Sequence, residues 1–274
     1  RVLFRSPVEI NASAHADDDF SKNKSIAELT DWNIYSPVWA PVSLEDQWLK
    51  LQDKDPFDYA KVERKIPASK ELKVSFDLKA AQNNKGTLQI EFLDENGIAC
   101  SRMELTDDGI FRLKGGSRFA NMMKYEAGKV YHVEAVLSTV DRNIQVYVDG
   151  KRVGLRMFYA PVAAVERIVF RTGIPRTFPT VDTPADQTYD LPDAGAQDPL
   201  AEYGIANVKT SSADKDASSA LLKYADFSHY ADCFNGMEDE NVVQAIPNAK
   251  ASEWMEENIP LFECPQHNFE EMYY

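Results

Sequence analysis

Glu71-Leu72-Lys73-Val74-Ser75-Phe76-Asp77-Leu78-Lys79-Ala80 alternates apolar and polar side chains along its length. In an extended chain successive side chains point to opposite faces, so Leu72, Val74, Phe76 and Leu78 line one face while Lys73, Ser75, Asp77 and Lys79 line the other. Such a strand rests one face on a core and turns the other to water. Three more segments repeat the pattern: Leu88, Ile90 and Phe92; Tyr131, Val133, Ala135 and Leu137; and Ile144, Val146 and Val148, each with polar residues between. Asn83-Asn84-Lys85-Gly86, Asp94-Glu95-Asn96-Gly97, Asp107-Asp108-Gly109 and Asp149-Gly150 separate the runs and supply residues that tolerate positive φ where a hairpin reverses. Further strands are expected near residues 46–52, 58–66, 98–106, 110–114, 151–158 and 165–172. Parallel pairing would need long helical crossovers, which this spacing leaves no room for. The fold class is all-β: an antiparallel two-sheet sandwich of about a dozen strands, of jelly-roll type.

Beyond Gly173 the composition changes. Pro175, Pro179, Pro184, Pro192 and Pro199 interrupt a stretch that also holds Asp182, Asp186, Asp190, Asp193 and Asp198. Regular structure does not survive that spacing, so a long loop is expected. A closing strand follows at Tyr203 to Thr210, expected to pair near the amino-terminal strand, and then a polar linker at 211–219. Residues 220–274 carry helical spacing, with Ser252 as a cap before Trp254-Met255 and Asn268 followed by Glu271 as a capping-box-like start. The division reads as an amino-terminal segment at 1–16, the sandwich at 17–210, the linker, and a short helical carboxy-terminal tail at 220–274 that opens a further domain. The chain starts at Arg1 without methionine and stops inside a helical pattern, as a piece of a longer protein would. Its first residues, Val2-Leu3-Phe4-Arg5-Ser6, resemble a translated sequencing adapter.

Thirty basic and forty-four acidic residues give a formal charge of −14. That balance repels polyanions, so nucleic acid and anionic membrane surfaces are not expected partners. No apolar run reaches the length of a spanning helix, and membrane insertion is not expected. Cys100, Cys233 and Cys264 are too widely spaced for a zinc or redox pair and read as buried or free thiols, with a Cys233 to Cys264 disulfide left open.

No catalytic constellation is legible. A laminarinase-like sandwich would carry Glu-x-Asp-x-x-Glu on one strand, whereas Glu91, Asp94 and Glu95 stand in the wrong order and run into a turn. A Gly-x-Ser-x-Gly elbow is absent, the histidines are scattered, and His132 falls on a polar strand face. Lys114-Gly115-Gly116-Ser117 lacks the spacing of a phosphate loop. No cofactor is expected. For metals, only calcium finds clustered carboxylates, at Asp53, Asp55 and Asp58 and at Asp17, Asp18 and Asp19, and neither cluster has EF-hand register. A solvated turn with a capping or pairing role is the expected reading of both.

Two features suggest carbohydrate. Trp32, Tyr35, Trp39, Trp48, Phe57 and Tyr59 crowd one region, and a flat ring with a polar rim is what a pyranose face stacks against. Core packing competes for each ring. Arg102, Arg118, Arg156 and Arg171 lie on or beside strands, with Arg176 in the long loop, and a guanidinium holds a sugar carboxylate bidentately. Pairing with surplus Asp and Glu competes for each arginine. The candidate carbohydrate-binding residues are therefore Trp39, Tyr59, Arg102, Arg118, Arg156 and Arg171.

Asp18-Asp19-Phe20, Trp48-Leu49-Lys50-Leu51-Gln52-Asp53, Phe76-Asp77-Leu78, Leu88-Gln89-Ile90-Glu91 and Tyr147-Val148-Asp149-Gly150-Lys151 resemble laminin-G-like and concanavalin A-like lectin/glucanase sandwich domains. The resemblance covers about residues 17–210 and is to the kind appended to carbohydrate-active proteins of gut Bacteroidetes, beside sialidase-like propellers or glycosidase domains. The tail motifs Ile246-Pro247-Asn248-Ala249, Trp254-Met255, Asn258-Ile259-Pro260-Leu261-Phe262-Glu263-Cys264-Pro265 and Glu270-Glu271-Met272-Tyr273-Tyr274 resemble the opening of a six-hairpin (α/α)6 glycosidase domain. What the resemblance implies is a non-catalytic accessory domain of an extracytoplasmic glycan-degrading enzyme. Its partners would be a polysaccharide or oligosaccharide and an adjacent catalytic domain of the same chain. The alternatives are a sandwich that forms one wall of a glycoside hydrolase active site, with Glu263 near a sugar subsite, and a passive spacer.

Overall fold

In a computed structural model of the chain, the described residues are 14–54, 58–116, 118–173, 201–212, 222–237, 240–242, 244–264 and 267–274. The strands are β1 (Asp17–Asp18), β2 (Trp32–Tyr35), β3 (Val42–Glu45), β4 (Trp48–Asp53), β5 (Lys61–Ser69), β6 (Glu71–Ala80), β7 (Leu88–Leu93) and β8 (Ala99–Leu105). They continue with β9 (Ile110–Gly115), β10 (Arg118–Lys124), β11 (Val130–Ser138), β12 (Asn143–Val148), β13 (Lys151–Met157), β14 (Val165–Thr172) and β15 (Ala201–Ser212). Helices α1 (Ser228–Asn235), α2 (Ala251–Asn258) and α3 (His267–Tyr273) follow.

The strands form two antiparallel sheets facing each other, the sandwich that the alternation implies. One sheet runs β13-β12-β11-β6-β15-β4-β3, with β1 also paired to β15; the other runs β10-β9-β8-β7-β14-β5-β2. In the second sheet a single cross-strand row, Ile34, Val62, Phe170, Ile90, Met103, Leu113 and Ala120, crosses all seven strands on one face. Val62, Phe170, Ile90, Met103 and Leu113 from it enter the core, where they meet Phe76, Leu78, Val133 and Tyr203 of the other sheet. Phe76 and Phe170 cross edge to face with centroids 5.0 Å apart, which locks the sheets in register.

Local chemistry explains most boundaries. Asp149 and Gly150 both take positive φ between β12 and β13, as a two-residue hairpin turn requires. Asp94 accepts hydrogen bonds from the amides of Asn96 (2.9 Å) and Ile98 (2.8 Å), which closes the β7-β8 turn. Pro67 interrupts β5 where its register with β14 shifts, so the missing amide costs no regular ladder bond.

Several sequence expectations change. The strand expected at 58–66 is β5, displaced to Lys61–Ser69. Strand β10 was not anticipated: Arg118-Phe119-Ala120-Asn121-Met122-Met123-Lys124 lacks strict alternation because a bulge separates Asn121 from Met123. The closing strand does reach the amino-terminal one, since Asp17 pairs with Lys209, yet its long neighbours are β4 and β6. Ser211 and Ser212, expected to be linker, complete β15. The long loop at 174–200, Arg176 with it, the rest of the linker, the first residues, Asp55 and Phe57 lie outside the described residues. The three cysteines are free, which closes the question of a Cys233 to Cys264 disulfide. Among the described residues no helix is long and apolar enough to cross a membrane.

Candidate functional site on the outer face of the seven-stranded sheet

The two outward faces of the sandwich differ. On the eight-stranded sheet the outward residues are self-paired and wet: Lys73 bonds Glu134 at 2.8 Å with its side chain 46% exposed, and His132 lies 2.8 Å from Asp77 at 53%. His132 is on a polar face as its sequence position implies, although Asp77 does place a carboxylate beside it, and Asn207 donates to that same carboxylate. No nucleophile completes the pair among the described residues, so it reads as a surface contact.

On the seven-stranded sheet the outward row next to the core row is Tyr35, Lys61, Arg171, Gln89, Glu104, Arg112 and Asn121, and the row beyond it includes Glu63, Val169, Glu91 and Arg102. These side chains point away from the core and are polar, yet Gln89 is 0% exposed and Glu91 and Glu104 are 1% exposed. A solvated sheet face would leave them wet. A buried polar side chain is costly unless paired, so its contacts are the informative quantity.

The contacts run from a deep end to an open rim. At the deep end the Arg171 guanidinium lies over the Tyr59 ring, 3.9 Å from its centroid, and Tyr35 packs against Tyr59 with centroids 5.0 Å apart. The Tyr35 hydroxyl donates to Asp58 (3.1 Å); burial, and then the Asp58 charge, pushes its pKa up to about 12. Centrally, Arg102 donates from Nε (2.8 Å) and Nη2 (2.6 Å) to one oxygen of Glu91. Next to it Arg112 donates from Nη2 to one oxygen of Glu104 at 2.5 Å. The second oxygens, Glu91 Oε2 and Glu104 Oε2, and the Gln89 Oε1, are buried without a hydrogen-bond partner among the described residues. Toward the rim the face opens at Phe119, with Arg112 4.3 Å and Lys114 5.4 Å from its ring centroid, and Lys114 5.1 Å from the Tyr159 ring. Burial, reinforced by the Arg102 charge, lowers the Lys114 pKa.

The arrangement alternates flat rings, charged donors and carbonyl-type acceptors along one face. Chemically this fits a ligand rich in hydroxyl groups with an apolar ring face: donors and acceptors for hydroxyls, and aromatic surface for C–H.

Of the six candidate residues, the fold brings Tyr59, Arg171 and Arg102 onto this face, whereas Arg118 is exposed at the start of edge strand β10 on the side of Ala120, not on the side of the outward row. Trp39 does not join them: it is half-buried in the turn before β3, where its carbonyl accepts from the Lys54 amide. Arg156 is on β13, in the other sheet, against helix α1. Glu91, expected to belong to a turn, is a buried strand residue paired with Arg102. Pairing with acids, the competing account of the arginines, holds for Arg102 and is joined there by burial. Gln89, Glu104, Arg112, Lys114 and Phe119 were not singled out in the sequence, although Gln89, Arg112 and Lys114 occupy the polar half of an alternation. The acidic triplet at Asp17, Asp18 and Asp19 disperses: Asp17 meets Lys209, Asp18 accepts from Trp32 and Arg64, and Asp19 accepts from Ser21. Among the described residues no three His, Cys, Asp or Glu converge as a metal site.

Comparison with known proteins gives the chain a family and a fold. Residues 32–187 match the model of a family described as "Sialidase-like, CBM domain". A solved structure described as "Sialidase" is 88% identical over 98% of this chain, with a TM-score of 0.70. The chain spans 25% of that protein's length. Two more share the fold at low identity. One, described as "Prominent members of the human gut microbiota express endo-acting O-glycanases to initiate mucin breakdown", is 14% identical over 72% of this chain and 98% of its own, with a TM-score of 0.52. The other, "Apo Crh5 transglycosylase", is 12% identical over 75% of this chain and 86% of its own, with a TM-score of 0.51. No curated protein matches.

Proposed function

The chain belongs to the sialidase-like CBM domain family through residues 32–187, and from that premise we propose that it is a non-catalytic, carbohydrate-binding accessory domain of an extracytoplasmic glycan-degrading enzyme. The sugar docks on the outer face of the seven-stranded sheet. The observation that carries this reading is the open rim, where the Phe119 ring lies 4.3 Å from Arg112 and 5.4 Å from Lys114, and Lys114 is 5.1 Å from the Tyr159 ring: flat aromatic surface beside charged donors. Behind it the buried carboxylates of Glu91 and Glu104 hold Arg102 and Arg112 in place. Fold analogy to sugar-active sandwiches does not assign function by itself; the residues on the face are what support this reading.

Glu91 and Glu104 are the nearest this face has to a carboxylate pair, and each is tied to an arginine. A guanidinium at 2.5 to 2.6 Å occupies one oxygen of each, and both side chains are buried, so neither is presented to a glycosidic oxygen. This supports binding over hydrolysis. Helices α1 to α3 are read as the entrance to a following catalytic domain of (α/α)6 type, which the sandwich would orient.

Immobilised neutral and acidic polysaccharides test the proposal in affinity gels. Retardation by at least one glycan, lost in Phe119→Ala and Lys114→Gln proteins that still unfold cooperatively, is the expected result. Retardation that survives both substitutions would move the site elsewhere.

A further inference from the structure

A cavity of about 340 Å³ lies at the open edge of the sandwich, between β9 and β10 on one side, β13 on the other and the last turn of α1 above. It borders the same edge strand, β10, whose outward Phe119 opens the sugar-binding face proposed above, but it lies mainly on that strand's core side, with Ala120 and Met122, and its volume is in the range of small-ligand sites. Two glycines make it. An added Cβ at Gly154 would stand 2.7 Å from the Met122 sulfur and 3.1 Å from Leu113. One at Gly115 would stand 2.7 Å from Arg156 Cδ. The absent side chains let the two sheet edges close and let the Arg156 stem cross Gly115 into the cavity.

The wall combines two unlike surfaces. Leu113, Met122 and Leu155 are apolar, while Arg152, Arg156 and Asn235 bring polar atoms to the opening; Asp232, exposed and in ion-pair contact with neither arginine, is the one carboxylate on the wall, against two guanidinium groups. Arg156 is half-buried, and Nη1 donates to the Leu155 carbonyl at 2.8 Å. Arg64, Arg102, Arg112 and Arg167 each hold a carboxylate within 3.3 Å. Neither Arg152 nor Arg156 has an ion pair with any described residue, in a chain whose net charge is −14. Burial without a counterion lowers the Arg156 pKa, so the guanidinium gains from an anion brought to it. Asn235 lines the cavity and donates from Nδ2 to the Asn248 carbonyl (2.9 Å), so Oδ1 is the atom it can offer as an acceptor. Gly236 leaves space too: a Cβ there would stand 3.1 Å from Arg156 Nη1.

We propose that this cleft is a second ligand site, specific for a sugar that carries a carboxylate. Arg156 and Arg152 take the carboxylate, Asn235 takes a hydroxyl, and Leu113, Met122 and Leu155 take the apolar ring face. A neutral sugar leaves both guanidinium groups without a partner, and a simple carboxylate leaves the apolar wall and Asn235 unused. The site therefore discriminates against both.

Titration of the full chain with methyl glucuronide, methyl glucoside and acetate, followed by calorimetry or chemical-shift change, tests the assignment. The glucuronide is expected to bind at least about tenfold more tightly than either control. Arg156→Gln and Arg152→Gln are each expected to weaken it about tenfold. Arg152 is exposed and its substitution leaves the fold intact, so an Arg156→Gln effect on α1 docking does not decide the outcome. Lys73→Gln, on the outward face of the other sheet, is expected to leave glucuronide affinity within about twofold, which separates loss of this cleft's arginines from a general loss of positive charge. Equal affinity for glucoside, equal affinity for acetate, no glucuronide binding at millimolar concentration, or unchanged binding in Arg152→Gln would each overturn it.

Discussion

The Arg171 guanidinium lies over the Tyr59 ring, 3.9 Å from its centroid, joining β14 to the residue that leads into β5. The neighbouring Ala60 amide donates to Thr172 Oγ1 at 2.9 Å, so the stack closes a contact between segments 112 residues apart. Arg171→Ala is expected to cost roughly 0.5–2 kcal/mol of stability, and Tyr59→Phe to cost little because the ring is kept. Urea midpoints of both variants check this. Equal losses in the two would mean that the phenol oxygen and not the ring face matters.

Glu91 and Arg102 form a buried ion pair across β7 and β8, with side chains 1% and 6% exposed. Removing one partner strands a charge, so Arg102→Met is expected to destabilise by about 3–5 kcal/mol. Adding Glu91→Leu to it should recover most of that loss, since two apolar side chains need no pairing. Equilibrium denaturation of the single and double variants measures the coupling, and an additive double loss would contradict it.

Alkaline pH should weaken the protein in a defined window. Tyr35 titrates at about 12 when folded against a reference value of 10.0. Between those values the unfolded chain has released a proton that the folded one keeps. The contribution is thus fully present below pH 10.0 and is lost as pH rises toward about 12. Tyr125 shifts the same way, by burial first and then the Asp107 and Asp108 charges. Tyr35→Phe is expected to flatten the fall in unfolding free energy with pH in this window. An unchanged slope would assign the effect to other groups.

Thiol labelling should distinguish the cysteines. Cys100 and Cys233 are buried, and burial pushes the Cys233 thiol up to about 12, whereas Cys264 is half-exposed. A thiol reagent at neutral pH is expected to modify one site in the native protein and three after unfolding. Rapid native modification at Cys233 would show that α1 is not held against the sandwich as described.

Much of the fold was legible because a strand's period of two is written in the order of its residues. Leu72, Val74, Phe76 and Leu78 could be assigned to one face before any partner was known. The misses have physical causes. Strand β10 hides behind its bulge, and Ser211 and Ser212 look like linker since polar residues end strands and start loops alike. The candidate site was half legible. Arg102 and Arg171 were picked as strand arginines and Tyr59 as an aromatic near a strand, yet Gln89 and Glu104 looked like ordinary solvent-facing positions.

By itself the sequence determined which side each strand residue takes, and with it an antiparallel sandwich of apolar interior, since alternation is a local property that no long-range contact can reverse without a register slip. Only the tertiary structure decided which strands lie side by side. It set Arg171 on Tyr59, gave Glu91 its arginine, buried one polar face while leaving the other wet, and sent Arg156 to a separate edge beside α1. Those pairings join residues far apart in the chain, and alternation carries no information about which neighbour a strand will find.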